Sequence, residues 1–234
     1  MLNYSTSEEN YIKAIYHLQK DGTVTTNELA AELQTRPASV TDMMKKLKVK
    51  KLVHYEAYQG FHLTAEGRKV ALLIIRRHRL WEFFLAEKLK FSWDEVHAVA
   101  EHLEHVSSKK LIDKLDEFLG FPRFDPHGDP IPDANGKIET SRQVCLSDLP
   151  LNRTGIVCYV SDQSVGMLEL LGHKKIGIGT KIEVKKKFSY DNSLEIKIRQ
   201  AKKATSIARL PKSSNATQSP CAASFDCGVK ALRS

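Results

Sequence analysis

The segment from Phe121 to Gly136 limits most strongly what this chain can fold into. It holds four prolines, Pro122, Pro126, Pro130 and Pro132. Proline fixes φ and lacks an amide hydrogen, so the stretch can be neither helix nor inner strand. It reads as an ordered loop or linker that divides the 234 residues into two parts of different periodicity. Ahead of it apolar residues recur at helical spacing, and after it short strand-like runs take over.

The helical part breaks once. Ser7 is read as the cap of a first helix with Tyr11, Ile12, Ile15, Tyr16 and Leu18 at helical spacing, ended by Asp21-Gly22. Thr26 is read as the cap of Asn27 to Leu33, and Gln34 to Pro37 connects to a third helix from Ala38 to about Lys51. The short runs Leu52 to Tyr55 and Gly60 to Leu63 flank Glu56 to Gln59 as a β-hairpin. Thr64 caps a long helix from Ala65 to about Lys90. Asp94 opens another with the stripe Val96, Val99, Leu103 and Val106, and Lys109 to Leu119 forms a further short helix. Past the linker, Gly155 to Val160, Thr180 to Lys187 and Ser193 to Ile198 are expected as strands, with a turn at Asp191-Asn192.

Charge enters the argument by its distribution. The net charge is +8, yet Lys181 to Ser234 holds twelve Lys/Arg against four Asp/Glu, while the preceding residues carry 24 of each sign. The surplus sits in the tail, so nucleic-acid binding has to be argued from local clusters. The four cysteines form no CxxC pair, which removes a disulfide scaffold and a cysteine zinc finger. No apolar run approaches the ~20 residues of a membrane span, and no signal peptide is read at the start. A cytoplasmic location is expected.

Helix, four-residue turn, helix and hairpin is the order of a winged helix-turn-helix, whose second helix enters the major groove. The candidate recognition helix opens Arg36-Pro37-Ala38-Ser39-Val40-Thr41-Asp42. Short polar side chains there can reach base edges, and backbone amides at that end favour a phosphate oxygen. Lys45, Lys46, Lys48, Lys50 and Lys51 follow as a basic run. A lysine run alone is usually a solvated face. The hairpin and the polar helix start turn this one toward DNA.

A second constellation lies further on. His97, Glu101, Glu104 and His105 fall within an arc of roughly 100° on an ideal helix, with the apolar stripe pointing elsewhere. On the preceding helix His78 and Glu82 repeat an i, i+4 pair. One such pair would be an ordinary polar stripe. Six nitrogen and oxygen donors on neighbouring helices can hold one or two divalent ions, and carboxylate-rich ligation favours Mn²⁺ or Fe²⁺.

Several stretches bring these features together: Glu9 to Tyr16, Ser39-Val40-Thr41 leading to Gly60 to Thr64, Arg77 to Glu82, Glu101 to Val106, and Pro126 to Pro132. In them, over residues 4 to 198, the chain resembles the diphtheria-toxin-repressor and manganese-transport-regulator family. The resemblance implies a mainly α fold: a winged helix-turn-helix, a helical metal-binding and dimerisation domain, and a small SH3-like β-barrel. It implies a homodimeric, Mn²⁺- or Fe²⁺-activated DNA-binding repressor of metal-uptake genes, acting on a near-palindromic double-stranded operator. Glu101, Glu104 and His105 stand at the family's primary-site positions, and His78, Glu82 and His97 at its second-site positions. Iron-responding members carry cysteine where Glu101 stands, so that carboxylate looks manganese-like. The first helix departs. Asn10 stands where the manganese branch has an acid and the iron branch a methionine; its amide oxygen can still coordinate. Lys13 replaces a second acid of the manganese branch and cannot be a ligand while charged.

The expected domains are 1–66 for DNA binding, 67–140 for metal binding and dimerisation including the linker, and 141–198 for the barrel. Residues 199–234 lack the glycine turn and closing strand of similar chains and are expected to be a disordered tail. A replaced terminus or altered reading frame there would leave the barrel one strand short with an exposed edge. Two rival functions are weighed. A metal-dependent hydrolase lacks an HExxH pair, a nucleophile motif and a Gly-rich phosphate loop. A winged-helix regulator with a merely structural metal site differs in being indifferent to chelator.

Overall fold

The computed structural model describes residues 4–19, 22–56, 60–93, 95–106, 108–138, 144–199, 206–210 and 229–233. It divides into two compact units. The first holds Met1–Phe84, Ala98–Arg123 and Ile131–Glu139; the second holds Leu85–His97, Phe124–Pro130 and Thr140–Ser234.

In the first unit, α1 (Thr6–Leu18) and α2 (Thr26–Glu32) each begin with a capping box. Ser5 caps α1 with Glu8, and Thr25 caps α2 with Glu28. Both caps thus lie ahead of the Ser7 and Thr26 expected, because a glutamate three residues on completes the reciprocal bond only for Ser5 and Thr25. Asp21, part of the expected turn after α1, lies outside the described residues. Helix α3 (Pro37–Val49) starts with proline at its first position, where no amide hydrogen is needed. It ends as Lys51 takes φ +58°. The Leu52 amide then bonds the Leu47 carbonyl at 3.0 Å, which turns the chain into β1 (Val53–Glu56).

Strand β1 pairs antiparallel with β2 (Gly60–Leu63), and Val24 bridges to Phe61 on the other side. This is the expected wing. Ile12, Ile15, Leu29, Val40, Met44, Leu47, Leu52 and Phe61 form its core, completed by Val70, Ala71 and Ile74 of α4 (Ala65–Glu87). Thr64 starts α4: its hydroxyl accepts from the Gly67 amide at 3.0 Å and donates to the Lys51 carbonyl at 2.8 Å. A Cβ on Gly67 would stand 2.0 Å from the Leu52 carbonyl oxygen, so only glycine lets α4 approach that backbone.

Helix α5 (Val96–Leu103) is shorter than expected, and Asp94 lies outside the described residues. Glu104 still donates its amide to the Ala100 carbonyl, but its own carbonyl accepts from Arg77 Nε at 2.6 Å. The acceptor that a continuing helix would use is taken, and the chain turns toward α6 (Lys109–Phe118). Leu80 of α4, Ile112 and Leu115 of α6, and Ile131 form a second small core. Beside it Arg76 pairs with Asp116 at 2.6 Å and donates to the Pro132 carbonyl at 2.9 Å. One side of the proline-rich segment is fixed in this way.

The second unit is built on a six-stranded sheet in the order β3-β8-β4-β5-β6-β7, every neighbouring pair antiparallel. Its strands are β3 (Val144–Cys145), β4 (Thr154–Val160), β5 (Lys181–Lys187), β6 (Leu194–Arg199), β7 (Ser206–Leu210) and β8 (Val229–Arg233). The three expected strands are β4, β5 and β6. A helix not foreseen, α7 (Val165–His173), packs Met167, Leu168 and Leu171 onto the core of Val157, Val160, Ile182, Val184, Ile196 and Ile198. The linker is ordered here too. Asp125 Oδ1 accepts from the His127 and Asp129 amides at 2.8 and 2.9 Å, and the Val160 amide bonds the His127 carbonyl at 3.0 Å.

The tail corrects the sequence reading in two places. Ser206–Leu210 pairs with β6, and Val229–Arg233 lies between β3 and β4, where backbone pairing compensates for weak local patterning. Residues 200–205, 211–228 and 234 lie outside the described residues.

Gly67→Ala should destabilise the protein by about 1–3 kcal/mol, the usual range for forcing an atom into a packed contact. Thermal melting against the parent measures it. An unchanged midpoint would mean that α4 can move off Leu52.

Candidate metal centre

Eight ionisable side chains of the first unit converge at one place. Helix α1 contributes Glu9 and Lys13, and α4 contributes Arg77, His78 and Glu82. Glu101 stands on α5, with Glu104 and His105 just past its end. Glu104 is the hub, with about 1% of its side chain exposed. Its carboxylate accepts from Lys13 Nζ at 2.8 Å on both oxygens, and Oε2 lies 2.6 Å from His78 Nδ1. The other ring nitrogen of His78 is 3.0 Å from Glu82 Oε1, so the imidazole is clasped between two carboxylates. Lys13 also lies 3.7 Å from Glu101. Alongside, Arg77 donates to Glu9 at 2.6 Å, and the second oxygen of Glu9 is 2.8 Å from His105 Nδ1.

This electrostatic arrangement shifts two groups. Burial by itself would lower the His78 pKa, but hydrogen bonds to Glu104 and then Glu82 outweigh it and raise the value to about 9. Burial pushes Glu104 upward, while the His78 hydrogen bond and the charge of Lys13 more than offset it and hold the carboxyl below its ordinary value.

The sequence-expected donors are placed unevenly. His78, Glu82, Glu101, Glu104 and His105 belong to this cluster. Glu101 is exposed, Glu104 buried and His105 half-buried, because the helix ends at Leu103 and does not present them as one stripe. His97 is exposed in the first turn of α5. Asn10 is half-buried on α1, and among the described residues no hydrogen bond links it to the cluster. Glu9 and Arg77 were not foreseen. Glu9 and Lys13 are an i, i+4 pair, which usually means a surface bridge along one helix; here each reaches to a different helix. Carboxylate oxygens and imidazole nitrogens gathered in one partly buried cluster are the donor set that suits Mn²⁺ or Fe²⁺. The residues fit such an ion, with the Lys13 ammonium standing against Glu104 among them.

Arg36, Pro37, Ala38, Ser39, Asp42, Lys45 and Lys46 are exposed along the start and middle of α3. Arg36 makes no side-chain cap, which leaves the first amides of α3 without that partner. Thr41 donates its hydroxyl to the Pro37 carbonyl at 3.1 Å, and Lys45 makes an exposed pair with Asp42 at 3.1 Å. Lys50 is turned away to Glu8 at 2.6 Å, and Lys48 lies over Tyr55.

A helix-turn-helix with a wing, joined through its first helix to a largely buried nitrogen and oxygen donor cluster, defines a winged-helix protein with a candidate divalent-metal site. Sequence profiles agree. The N-terminal DNA binding domain of the iron dependent repressors matches residues 3–61, and their metal binding and dimerisation domain matches residues 64–133. The chain belongs to this iron-dependent repressor family, which also includes the manganese-responding regulators. It is 32% identical over 125 residues to the iron-dependent repressor IdeR of Mycobacterium leprae, covering 53% of this chain and 54% of that one. It is 34% identical over 116 residues to the transcriptional regulator MntR of Oceanobacillus iheyensis, covering 49% and 78%. The matched region thus spans about half the length of the first of these relatives. A solved manganese-dependent transcriptional repressor in complex with manganese superposes with a TM-score of 0.78 at 30% identity, covering 97% of this chain and 99% of that one.

The two shifted groups set a pH window for the metal-free protein. The His78 contribution is fully present below its unfolded value near 6.5 and is lost as pH rises through about 9. The Glu104 contribution is present above 4.5 and is lost as pH falls through its lowered value. Melting temperature in chelator should therefore decline between pH 6.5 and 9.5, and His78→Gln should flatten that decline. An equally steep decline in the variant would remove His78 as its source.

Proposed function

We propose that this chain is a metal-dependent DNA-binding transcriptional regulator, a repressor of metal-uptake genes that responds to Mn²⁺ or Fe²⁺. The observation that carries this is the Glu104 cluster. It joins α1 of the winged helix to α4 and to the end of α5, so the DNA-binding element and the metal-binding element share one set of side chains. Residues 1–66 form the DNA-binding domain, 67–140 the metal-binding and dimerisation domain, and 141–198 with the later strands the β domain. Glu101, Glu104 and His105 would hold the ion, with His78 and Glu82 beside them. When bound, a divalent ion supplies positive charge that offsets the clustered carboxylates. The members of the family named above are transcriptional repressors, not enzymes, and hydrolysis is not part of this reading.

The chain's own residues supply the rest. Arg36 to Thr41 present the start of α3 to base edges, and Lys45 and Lys46 meet phosphate oxygens. Two such helices in a homodimer read a near-palindromic operator. In the metal-free protein the hydrogen bonds to Glu104 and Glu82 favour the protonated form of His78. The protein works in the cytoplasm. Among the described residues no helix is long and apolar enough to cross a membrane.

Selection of bound duplexes from a random pool, followed by titration with Mn²⁺ or with chelator, tests the proposal. Mn²⁺ should tighten binding to the selected site, at about 1.4 kcal/mol of coupling for each tenfold gain. Glu104→Ala should abolish that gain. DNA binding indifferent to chelator would favour the structural-metal reading. Separately, removing Lys45 or Lys46 should weaken binding to all sequences and lower the salt slope by about one per phosphate contact. Unchanged slopes would take those lysines out of the interface.

A further inference from the structure

We infer that the Lys13 ammonium is a built-in counter-cation of the metal pocket: it neutralises Glu104 in the metal-free protein and must leave before a divalent ion can use that carboxylate. Residue 13 thereby sets the affinity of the site. This rests on the reading of the cluster as a metal pocket.

Three observations carry it. First, Lys13 buries its charged end. Its side chain is only 16% exposed, and Nζ lies 2.8 Å from both oxygens of a carboxylate that is itself about 1% exposed. A lysine on a helix ordinarily keeps its ammonium in water, so a buried one marks a carboxylate that needs a partner. Second, Lys13 does not pair with Glu9, its i, i+4 neighbour; Glu9 is held by Arg77 and His105. The ammonium reaches across to Glu104 and lies 3.7 Å from Glu101, so it stands among the donors assigned to the ion. Third, the charges are already partly balanced. Four carboxylates, those of Glu9, Glu82, Glu101 and Glu104, are set among Lys13, Arg77 and the imidazoles of His78 and His105. An incoming ion gains less attraction than in a pocket of carboxylates alone, and it meets a like charge on the same oxygens.

Two consequences follow. The metal-free protein keeps α1 tied to Glu104 by its own cation, and metal binding becomes an exchange of one cation for another. The tie and the competition are two effects of one side chain, so they should change together when its charge is removed.

Mn²⁺ titration of the full chain, followed by the electron paramagnetic resonance signal of free Mn²⁺, tests this together with melting in chelator. Lys13→Met should bind Mn²⁺ about tenfold more tightly or better, melt lower than the parent in chelator, and gain more on adding Mn²⁺. Lys13→Arg, which keeps the charge, should stay near the parent. Should Lys13→Met not fold, Lys13→Gln takes its place, since an amide can hydrogen-bond Glu104 without charge. Equal Mn²⁺ affinities in the parent and the neutral variant would overturn the competition and leave the metal pocket standing. The same gain in Lys13→Arg would show that charge is not the cause. Absence of Mn²⁺ binding in the parent and in every variant would overturn the pocket and the competition together.

Discussion

A carboxylate that has lost its water must be given opposite charge or hydrogen-bond donors, and the Glu104 side chain organises its surroundings around that need. Unpaired, a buried carboxylate costs several kcal/mol. His78 and Lys13 supply the compensation from two different helices, while Arg77 takes the backbone carbonyl of the same residue. Satisfying one residue thereby ends α5, aims α4 and brings α1 alongside. The second oxygen pair, on Glu9, repeats the arrangement with Arg77 and His105. The polar cluster is continuous because each cation has two obligations.

The winged helix was legible because its core follows helical and strand periods that short sequence windows preserve. Ile12, Ile15, Leu29, Val40, Met44 and Leu47 all occupy the interior that their spacing announces. The exact starts of α1 and α2 were less so, since Ser5 competes with Ser7, and Thr25 with Thr26. The glutamates at positions 8 and 28 decide between them. Helix α7 was hidden by Gly166 and Gly172, which weaken the helical signal around Met167, Leu168 and Leu171. The two late strands carry little pattern of their own and owe their place to backbone pairing with distant residues.

The candidate site was legible in its donors and not in its counter-charges. His78, Glu82, Glu101, Glu104 and His105 are ligand types at recurring spacing, and such spacing survives in a linear reading. Arg77 and Glu9 have no signature, because arginine and glutamate on a helix surface look alike whether they point at solvent or at each other across helices. Lys13 was visible as a departure, but its partner lies 91 residues away and no local rule connects the two. Polar networks between helices are properties of packing, and periodicity does not encode them.

Strand β8 bears on how the second unit comes into being. Val229–Arg233 sits between β3 and β4, pairing Ala231 with both Val144 and Val157. Those partners leave the ribosome long before β8 is made, so β4 emerges with one of its edges open and waits through the synthesis of more than half of the unit. A nascent chain in that state presents an unpaired strand to any neighbour. Closing the gap is a non-local event, slow by its large sequence separation. Assembly of this sheet therefore waits on the making of β8 as well as on the strength of its core.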